Sequence, residues 1–270
     1  MNPYELMIKT NHYLIKNGKL TDRQKTNIVG QLLAAKSNET QLQSFRKGVN
    51  APEYLRSQNQ SGDERIMYPL FYVPPYNNGV KLQTVLPMSP KTHILAANSY
   101  ELEILRLLYL FAPNNEQIKD MITQSLKRLK TTCFANHDCH HGECFHSAII
   151  SLRFISAVSE DIEWMLKLVK FFNKYNGESK RHSNVIRYFW LCLSELPIEI
   201  AEPEIQDCKD ILFAGLKKNA PMNTEKDKVY NPIIYYIMKN CLSRLIEYSH
   251  FSNIHPYLNE KDGRLHFDIL

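Results

Sequence analysis

The chain has 270 residues, of which 44% are hydrophobic, enough to fill one large domain or two small ones. Its net charge of +5 and sequence pI of about 8.7 are mildly basic. Dedicated nucleic-acid binders usually have a pI above about 9, so the composition argues against nucleic acid as the main partner. No apolar run approaches the ~20 residues that span a bilayer. We therefore expect a cytoplasmic protein without membrane contact.

Several enzyme classes are excluded by missing motifs. The nine glycines include no Gly-x-Gly pair, so the chain has neither a dinucleotide-binding fingerprint nor a phosphate-binding P-loop. The zinc-protease pattern His-Glu-x-x-His is also absent. A reaction, if the chain has one, must use another arrangement of side chains.

The N-terminal segment, residues 1–65, is predicted to be a helical hairpin followed by a polar connector. Asn2 and Glu5 form a capping-box pattern with proline at the first helical position. Thr21 and Gln24 repeat the capping box before a second apolar stripe. Two helices are therefore expected before the polar residues begin near 37.

The next segment, residues 66–98, is predicted to be an extended arm. It is rich in proline and aromatic residues, and Asn77-Asn78-Gly79 is a turn signal. Lys81 to Val85 alternate in polarity, which predicts a small irregular or β-hairpin arm near residues 66–90. The prolines argue against a regular central strand. Either the arm covers the first helix pair or it lies over a groove as a functional element.

From residue 99 onward, apolar residues recur at helical spacing. Four rather apolar helices are predicted to begin near residues 99, 143, 183 and 230, with three amphipathic helices between them. The interval of about 40 to 47 residues is that of two-helix repeats of the HEAT kind. We therefore predict an all-α fold of stacked helix pairs over 99–270. It would be an α-solenoid (α/α-superhelix) or a partly closed α/α barrel, in one compact unit with the N-terminal segments.

Charged residues within these helices are interpreted conservatively. The cluster of Lys127, Arg128 and Lys130 lies at a helix C-terminus, where cations complement the helix dipole. Glu101 and Glu103 are expected to be solvated. Arg153 and Arg187, both in apolar helices, are expected to snorkel or to pair with Glu195, and pointing into a groove is the alternative.

One short loop carries the chemistry of the sequence. Seven of the 14 residues from 133 to 146 are Cys or His, whereas the whole chain contains only 16 such residues. Three thiolates and one imidazole would complete a tetrahedral zinc site. The candidate ligands are the cysteines and histidines of this loop: Cys133, His137, Cys139, His140, His141, Cys144 and His146.

Three interpretations of the loop remain open. The first is a structural zinc ion that joins two helices. The second is a functional centre, either a catalytic metal or a thiol of Cys144 activated by a helix N-terminus, with Glu143 and His141 as base and orienter. The third is a His-rich surface loop whose cysteines bind nothing.

The sequence therefore supports two hypotheses of different classes. The first is a helical-repeat binding or scaffold protein, with a zinc-binding interhelical loop and a protein, a peptide or a small molecule in its groove. The alternative is an enzyme with an α/α-type pocket that uses the Cys/His loop as a metal or activated-thiol centre. The sequence leaves the reaction and the substrate open.

Overall fold

The protein is mostly α-helical. The computed structural model describes residues 2–38, 70–71, 82–91, 93–136, 139, 142–176 and 183–268. Within these ranges the helices are α1 (Pro3–Ile15), α2 (Asp22–Ala34), α3 (His93–Phe111), α4 (Glu116–Leu129), α5 (Glu143–Val158), α6 (Ile162–Asn176), α7 (Ser183–Leu193), α8 (Ile198–Lys217) and α9 (Glu225–Leu242). Two 3-10 helices cover Phe134–Asn136 and Ile246–Asn253. The predicted all-α character is confirmed.

The helix starts follow from side chains that satisfy free backbone amides. Asn2 accepts a hydrogen bond from the Glu5 amide at 2.8 Å, and Thr21 and Gln24 form the predicted capping box. A further capping box joins Thr224 and Asp227 at the start of α9. This helix therefore begins at Glu225, and Pro232 lies inside it rather than at its start.

The described residues group into two compact units. Unit 1 comprises Met1–Asn11 and Leu20–Lys180, and unit 2 comprises His12–Lys19 and Arg181–Leu270. The division at residue 180 falls inside the segment that the sequence predicts as one helical-repeat domain. The predicted boundary near residue 65 lies outside the described residues.

In unit 1 the helices pack around α3 and α5. These two helices make the most extensive contact of the unit, α2 and α4 pack against α3, and α6 packs against α5. Helix α5 is buried on all sides from Ser147 to Ile155, as its nearly continuous apolar sequence requires. This central position fixes the axis of α5, and the candidate loop leads directly into its first turn.

In unit 2 the helix α9 packs against α7, α8 and the second 3-10 helix. A small antiparallel sheet of β1 (Ala220–Pro221), β2 (Tyr257–Asn259) and β3 (Arg264–His266) has the order β1-β3-β2. Leu265 at the centre of β3 pairs with both Ala220 and Leu258. This sheet lies far along the chain from the arm for which a β-hairpin was predicted.

The described part of the predicted arm is irregular. Residues 82–91 contain no strand, although Leu82, Val85 and Leu86 are buried. Phe71, fully buried, forms an isolated antiparallel bridge with Lys36. Of the predicted β-hairpin, the turn at Asn77-Asn78-Gly79 lies outside the described residues. Residues 82–91 pack as coil because their buried residues do not alternate with exposed ones.

Helix α3 begins at His93, six residues before the predicted start near 99. Its last residue is Phe111, as expected from the proline at 113. Helix α4 ends at Leu129. Cys133 is therefore placed in a turn beyond the helix.

Candidate metal centre

The turn that carries Cys133 is held by one asparagine. The side-chain amide of Asn136 donates to the carbonyls of Leu129, Lys130 and Thr132 at 3.2, 2.8 and 2.7 Å. These carbonyls lie at or just beyond the end of α4, where no further helical amide is available to them. The backbone N–H of Asn136 donates to the Cys133 carbonyl at 3.2 Å. The backbone on both sides of Cys133 is thus fixed.

The 3-10 helix after Cys133 is anchored in the core. Phe134 and Ala135 are buried, and the indole nitrogen of Trp164 in α6 donates to the Ala135 carbonyl at 2.7 Å. The ammonium group of Lys130 lies 5.5 Å from the centre of the Trp164 ring. Trp164 is therefore a direct neighbour of the turn in which the first cysteine lies.

The other flank of the loop is the first turn of α5. Gly142 is the N-cap and has φ 55° and ψ −129°, a conformation that essentially only glycine adopts. His146 Nδ1 lies 3.1 Å from the Gly142 carbonyl oxygen. The Glu143 carboxylate accepts a hydrogen bond from the Lys91 amide. Cys144 is consequently held in the first helical turn, as predicted.

The three cysteines of the loop meet at one point. The Sγ atoms of Cys133, Cys139 and Cys144 all lie within 4.8 Å of one another. Cys133 is exposed, and Cys139 and Cys144 are half-buried. Three soft ligands so close together are a donor set that suits Zn²⁺. The predicted convergence of the three sulfurs is confirmed.

The histidines of the loop, unlike its three cysteines, are not shown to be part of the group. His137, His140 and His141 lie outside the described residues, so their assignment as ligands, and that of His141 as a catalytic candidate, stays a prediction. His146 is described, but it is not a member of the three-sulfur group. Its Nδ1 atom lies next to the Gly142 carbonyl oxygen instead.

The thiols in the group oppose each other's ionisation. Burial, together with the nearby thiols of Cys139 and Cys133, raises the pKa of Cys144 to about 12. The helix N-terminus alone predicts a shift in the opposite direction. A bound cation would reverse the balance, because a thiol that coordinates zinc is deprotonated. The donor set therefore fits a metal better than a free nucleophile.

Comparison with protein-family models, with curated proteins and with solved structures finds no match to this chain. Among the described helices, none combines the length and the apolar composition needed to cross a membrane. The chemically distinctive features of the described residues are the three-sulfur group and a set of buried charges.

Two buried ion pairs were missed by the sequence analysis. Arg153, fully buried, donates to both carboxylate oxygens of Glu103 at 2.8 Å, rather than snorkelling or pairing with Glu195. Arg128 pairs with Glu101 at 2.7 Å. Glu101 and Glu103 are therefore buried and not solvated as expected. For Arg153 the available signal was its position on an otherwise apolar helix, where a buried arginine requires an acidic partner.

Asn11 connects the Arg153–Glu103 ion pair to a second arginine. Its side-chain oxygen accepts hydrogen bonds from Arg153 at 3.1 Å and from Arg106 at 3.3 Å. Its own amide donates to the Met7 carbonyl at 3.0 Å. This network in the core of unit 1 fixes the register of α1, α3 and α5 through directional contacts.

Proposed function

We propose that this chain is a helical binding or scaffold protein in which Cys133, Cys139 and Cys144 hold a structural zinc ion. The observation that carries the proposal is the approach of the three Sγ atoms to within 4.8 Å of one another. In tetrahedral zinc sites, Zn–S bonds of about 2.3 Å put the sulfurs about 3.8 Å apart. Binding would therefore need each sulfur to move by no more than about an ångström.

The fourth ligand is proposed to be a histidine of the same loop. His137, His140 and His141 lie between Cys133 and Cys144 in sequence, and neutral imidazole is a common zinc ligand. With four protein ligands the site would be closed, which is typical of structural zinc. The ion would join the turn after α4 to the first turn of α5.

The binding role is proposed on the arrangement of the helices. We propose that the pairs stack as an α-solenoid or a partly closed α/α barrel, whose groove would take a protein, a peptide or a small molecule. Packed pairs support it within each unit: α3 with α5 in unit 1 and α8 with α9 in unit 2. A nucleic-acid partner has less support, since Arg128 of the basic cluster is buried in its pair with Glu101.

The enzyme alternative receives less support from the same residues. An activated thiol needs a lowered pKa, whereas the pKa of Cys144 is raised. The proposed base, Glu143, accepts a hydrogen bond from the Lys91 amide. A catalytic zinc would still need an open coordination position. Cobalt(II) substituted for zinc tests this, because an open position would bind added imidazole and change the visible spectrum.

The zinc proposal is tested by metal binding in a variant with one tryptophan. Trp190→Phe leaves Trp164, which donates to the Ala135 carbonyl beside Cys133, as the single tryptophan, and selective excitation of tryptophan then reports on this region. We expect one zinc per chain and a change in Trp164 fluorescence on binding. With free zinc at about 1000 times the dissociation constant, the unfolding free energy should rise by about 4 kcal/mol. Untagged protein is required, because a histidine tag binds zinc.

Matched variants separate ligand loss from general damage. Cys144→Ser should abolish the zinc-dependent stabilisation, whereas Cys208→Ser, at a half-buried cysteine outside the loop, should retain it. One of His137→Ala, His140→Ala and His141→Ala should weaken binding more than His146→Ala does. If wild-type protein binds no zinc and its unfolding is unchanged by the metal, the proposal is wrong.

A further inference from the structure

The three-sulfur group can also undergo two-electron chemistry. We propose that it is an oxidation site, at which a peroxide joins two of its sulfurs, one of them Cys133, in a disulfide and releases the metal. This inference rests on the proposed zinc site and concerns its regulation. The oxidised loop would retain one thiol and the proposed histidine, two ligands instead of four and too few to hold zinc tightly.

Exposure selects the sulfur that reacts first. Cys133 is exposed, whereas Cys139 and Cys144 are half-buried. A zinc-bound thiolate is deprotonated, so Cys133 would present an accessible nucleophile to a small hydroperoxide. Susceptibility to oxidation follows thiolate character and exposure, and Cys133 combines both.

The reaction balances in two steps. The Cys133 thiolate attacks one peroxide oxygen, the O–O bond breaks, and the released hydroxide takes a proton to become water, leaving a sulfenic acid. The thiolate of Cys139 or Cys144 then attacks the Cys133 sulfur and the S–O bond breaks. A second hydroxide leaves and is protonated to water. Two thiolates lose two electrons, the peroxide gains them, and Zn²⁺ departs with its charge unchanged.

The geometry allows the second step without moving the helices. A disulfide needs sulfurs about 2.05 Å apart, so the 4.8 Å limit leaves less than about 3 Å to close. One change of χ1 rotamer moves a cysteine sulfur by about 3 Å. The backbone around Cys133 is fixed by Asn136 and the first turn of α5 fixes Cys144, so side-chain rotation would be the main movement.

The cysteines outside the loop are all less exposed than Cys133. Cys192 and Cys241 are buried, and Cys208 in α8 is half-buried. Burial raises the pKa of Cys208 to about 12 and that of Cys241 well above its ordinary value. The thiols of Cys208 and Cys241 are therefore protonated at neutral pH and are expected to react slowly with peroxide.

The test uses the full-length, zinc-loaded protein and hydrogen peroxide. Metal content is measured first, and then one equivalent of peroxide is added in the presence of a chromogenic zinc chelator. We expect release of one zinc per chain, a protein mass lower by two hydrogen atoms, and a mapped disulfide that includes Cys133. A dithiol reductant should restore zinc binding, and Cys208→Ala should behave like wild type.

Cys133→His supplies a second, independent readout, because imidazole can replace the thiolate as a ligand but cannot form a disulfide. Peroxide should release zinc from it at least tenfold more slowly than from wild type. Retained zinc in wild type, oxidation to sulfinic acid without a disulfide, or a disulfide lacking Cys133 would each overturn the inference. Protein without zinc before peroxide is added would instead show that the proposed function itself is wrong.

Discussion

Units 1 and 2 both bury cations, but they stabilise them differently. In unit 1, Arg153 and Arg128 each contact a buried glutamate at 2.7 to 2.8 Å. In unit 2, fully buried Lys239 donates to the Ser252 carbonyl at 2.9 Å, and half-buried Arg244 donates to the Leu193 carbonyl at 2.8 Å. Burial lowers the pKa of both of these cations.

The two units differ in the kind of buried group that is left without a partner when the cation is removed. In unit 1 its removal leaves a buried carboxylate without its ion-pair partner, which is costly. In unit 2, removal of Lys239 leaves the Ser252 carbonyl without one donor, and it also removes a desolvated charge. The same kind of substitution should therefore have different effects in the two units.

Tryptophan fluorescence can measure each unit by itself. The chain has two tryptophans, Trp164 in unit 1 and Trp190 in unit 2. Trp190→Phe leaves a reporter of unit 1, and Trp164→Phe leaves a reporter of unit 2. Denaturant unfolding of these backgrounds assigns each stability change to its own unit.

The largest effect is expected at Arg153. In the Trp190→Phe background, Arg153→Met should lower the unfolding free energy of unit 1 by about 3 to 5 kcal/mol, because Glu103 loses its buried ion-pair partner. Adding Glu103→Leu should recover at least half of this loss. A single-variant loss below about 1 kcal/mol would contradict the comparison.

High pH tests how much the burial of a neutral phenol contributes to the stability of unit 1. Burial raises the pKa of Tyr100 from 10.0 to about 12, so the neutral phenol is favoured in the folded state. This stability is fully present below pH 10 and is lost as pH rises towards 12, a loss of about 2 to 3 kcal/mol. Tyr100→Phe keeps the ring beside Tyr4 and should lack this loss. Equal pH profiles for both proteins would contradict the assignment.

The smallest effect is expected at Lys239. In the Trp164→Phe background, Lys239→Met should change the stability of unit 2 by less than about 1 kcal/mol at pH 7, because relief from desolvation offsets the lost hydrogen bond. Because the pKa of Lys239 is lowered in the folded state, the unfolded state keeps the proton of this lysine up to a higher pH. Stability of the Lys239 protein should therefore rise relative to the variant as pH approaches 10.5. A fall in the stability of the Lys239 protein relative to the variant over this pH range would contradict the prediction.

The features predicted correctly from sequence are local ones. The N-cap bond at Asn2 and the capping box at Thr21 involve residues three apart, and the cysteines of the metal centre lie within 12 positions of one another. A turn between two helices brings such neighbours together whatever the rest of the fold does. The Cys/His density alone was therefore sufficient to locate the three-sulfur group.

The features that were missed depend on long-range contacts. Glu103 and Arg153 are 50 positions apart, and nothing in either helix alone indicates which residue of the other is its partner. The C-terminal sheet joins strands of two or three residues, too short to give an alternating pattern. Both features depend on contacts between elements that are distant in the chain, and a local sequence pattern does not reveal such contacts.

The left-handed N-cap at Gly142 has a consequence for the ancestry of this protein. A Cβ atom at this position would meet no neighbouring atom, but any other amino acid would be strained at this positive φ. The requirement for glycine therefore comes from the backbone conformation alone. A homologue that preserves the centre should therefore carry the pattern Cys-x5-Cys-x2-Gly-x-Cys ahead of an apolar helix. Distant genomes could be screened with that short signature, and the invariant glycine would separate true descendants from chance cysteine triplets.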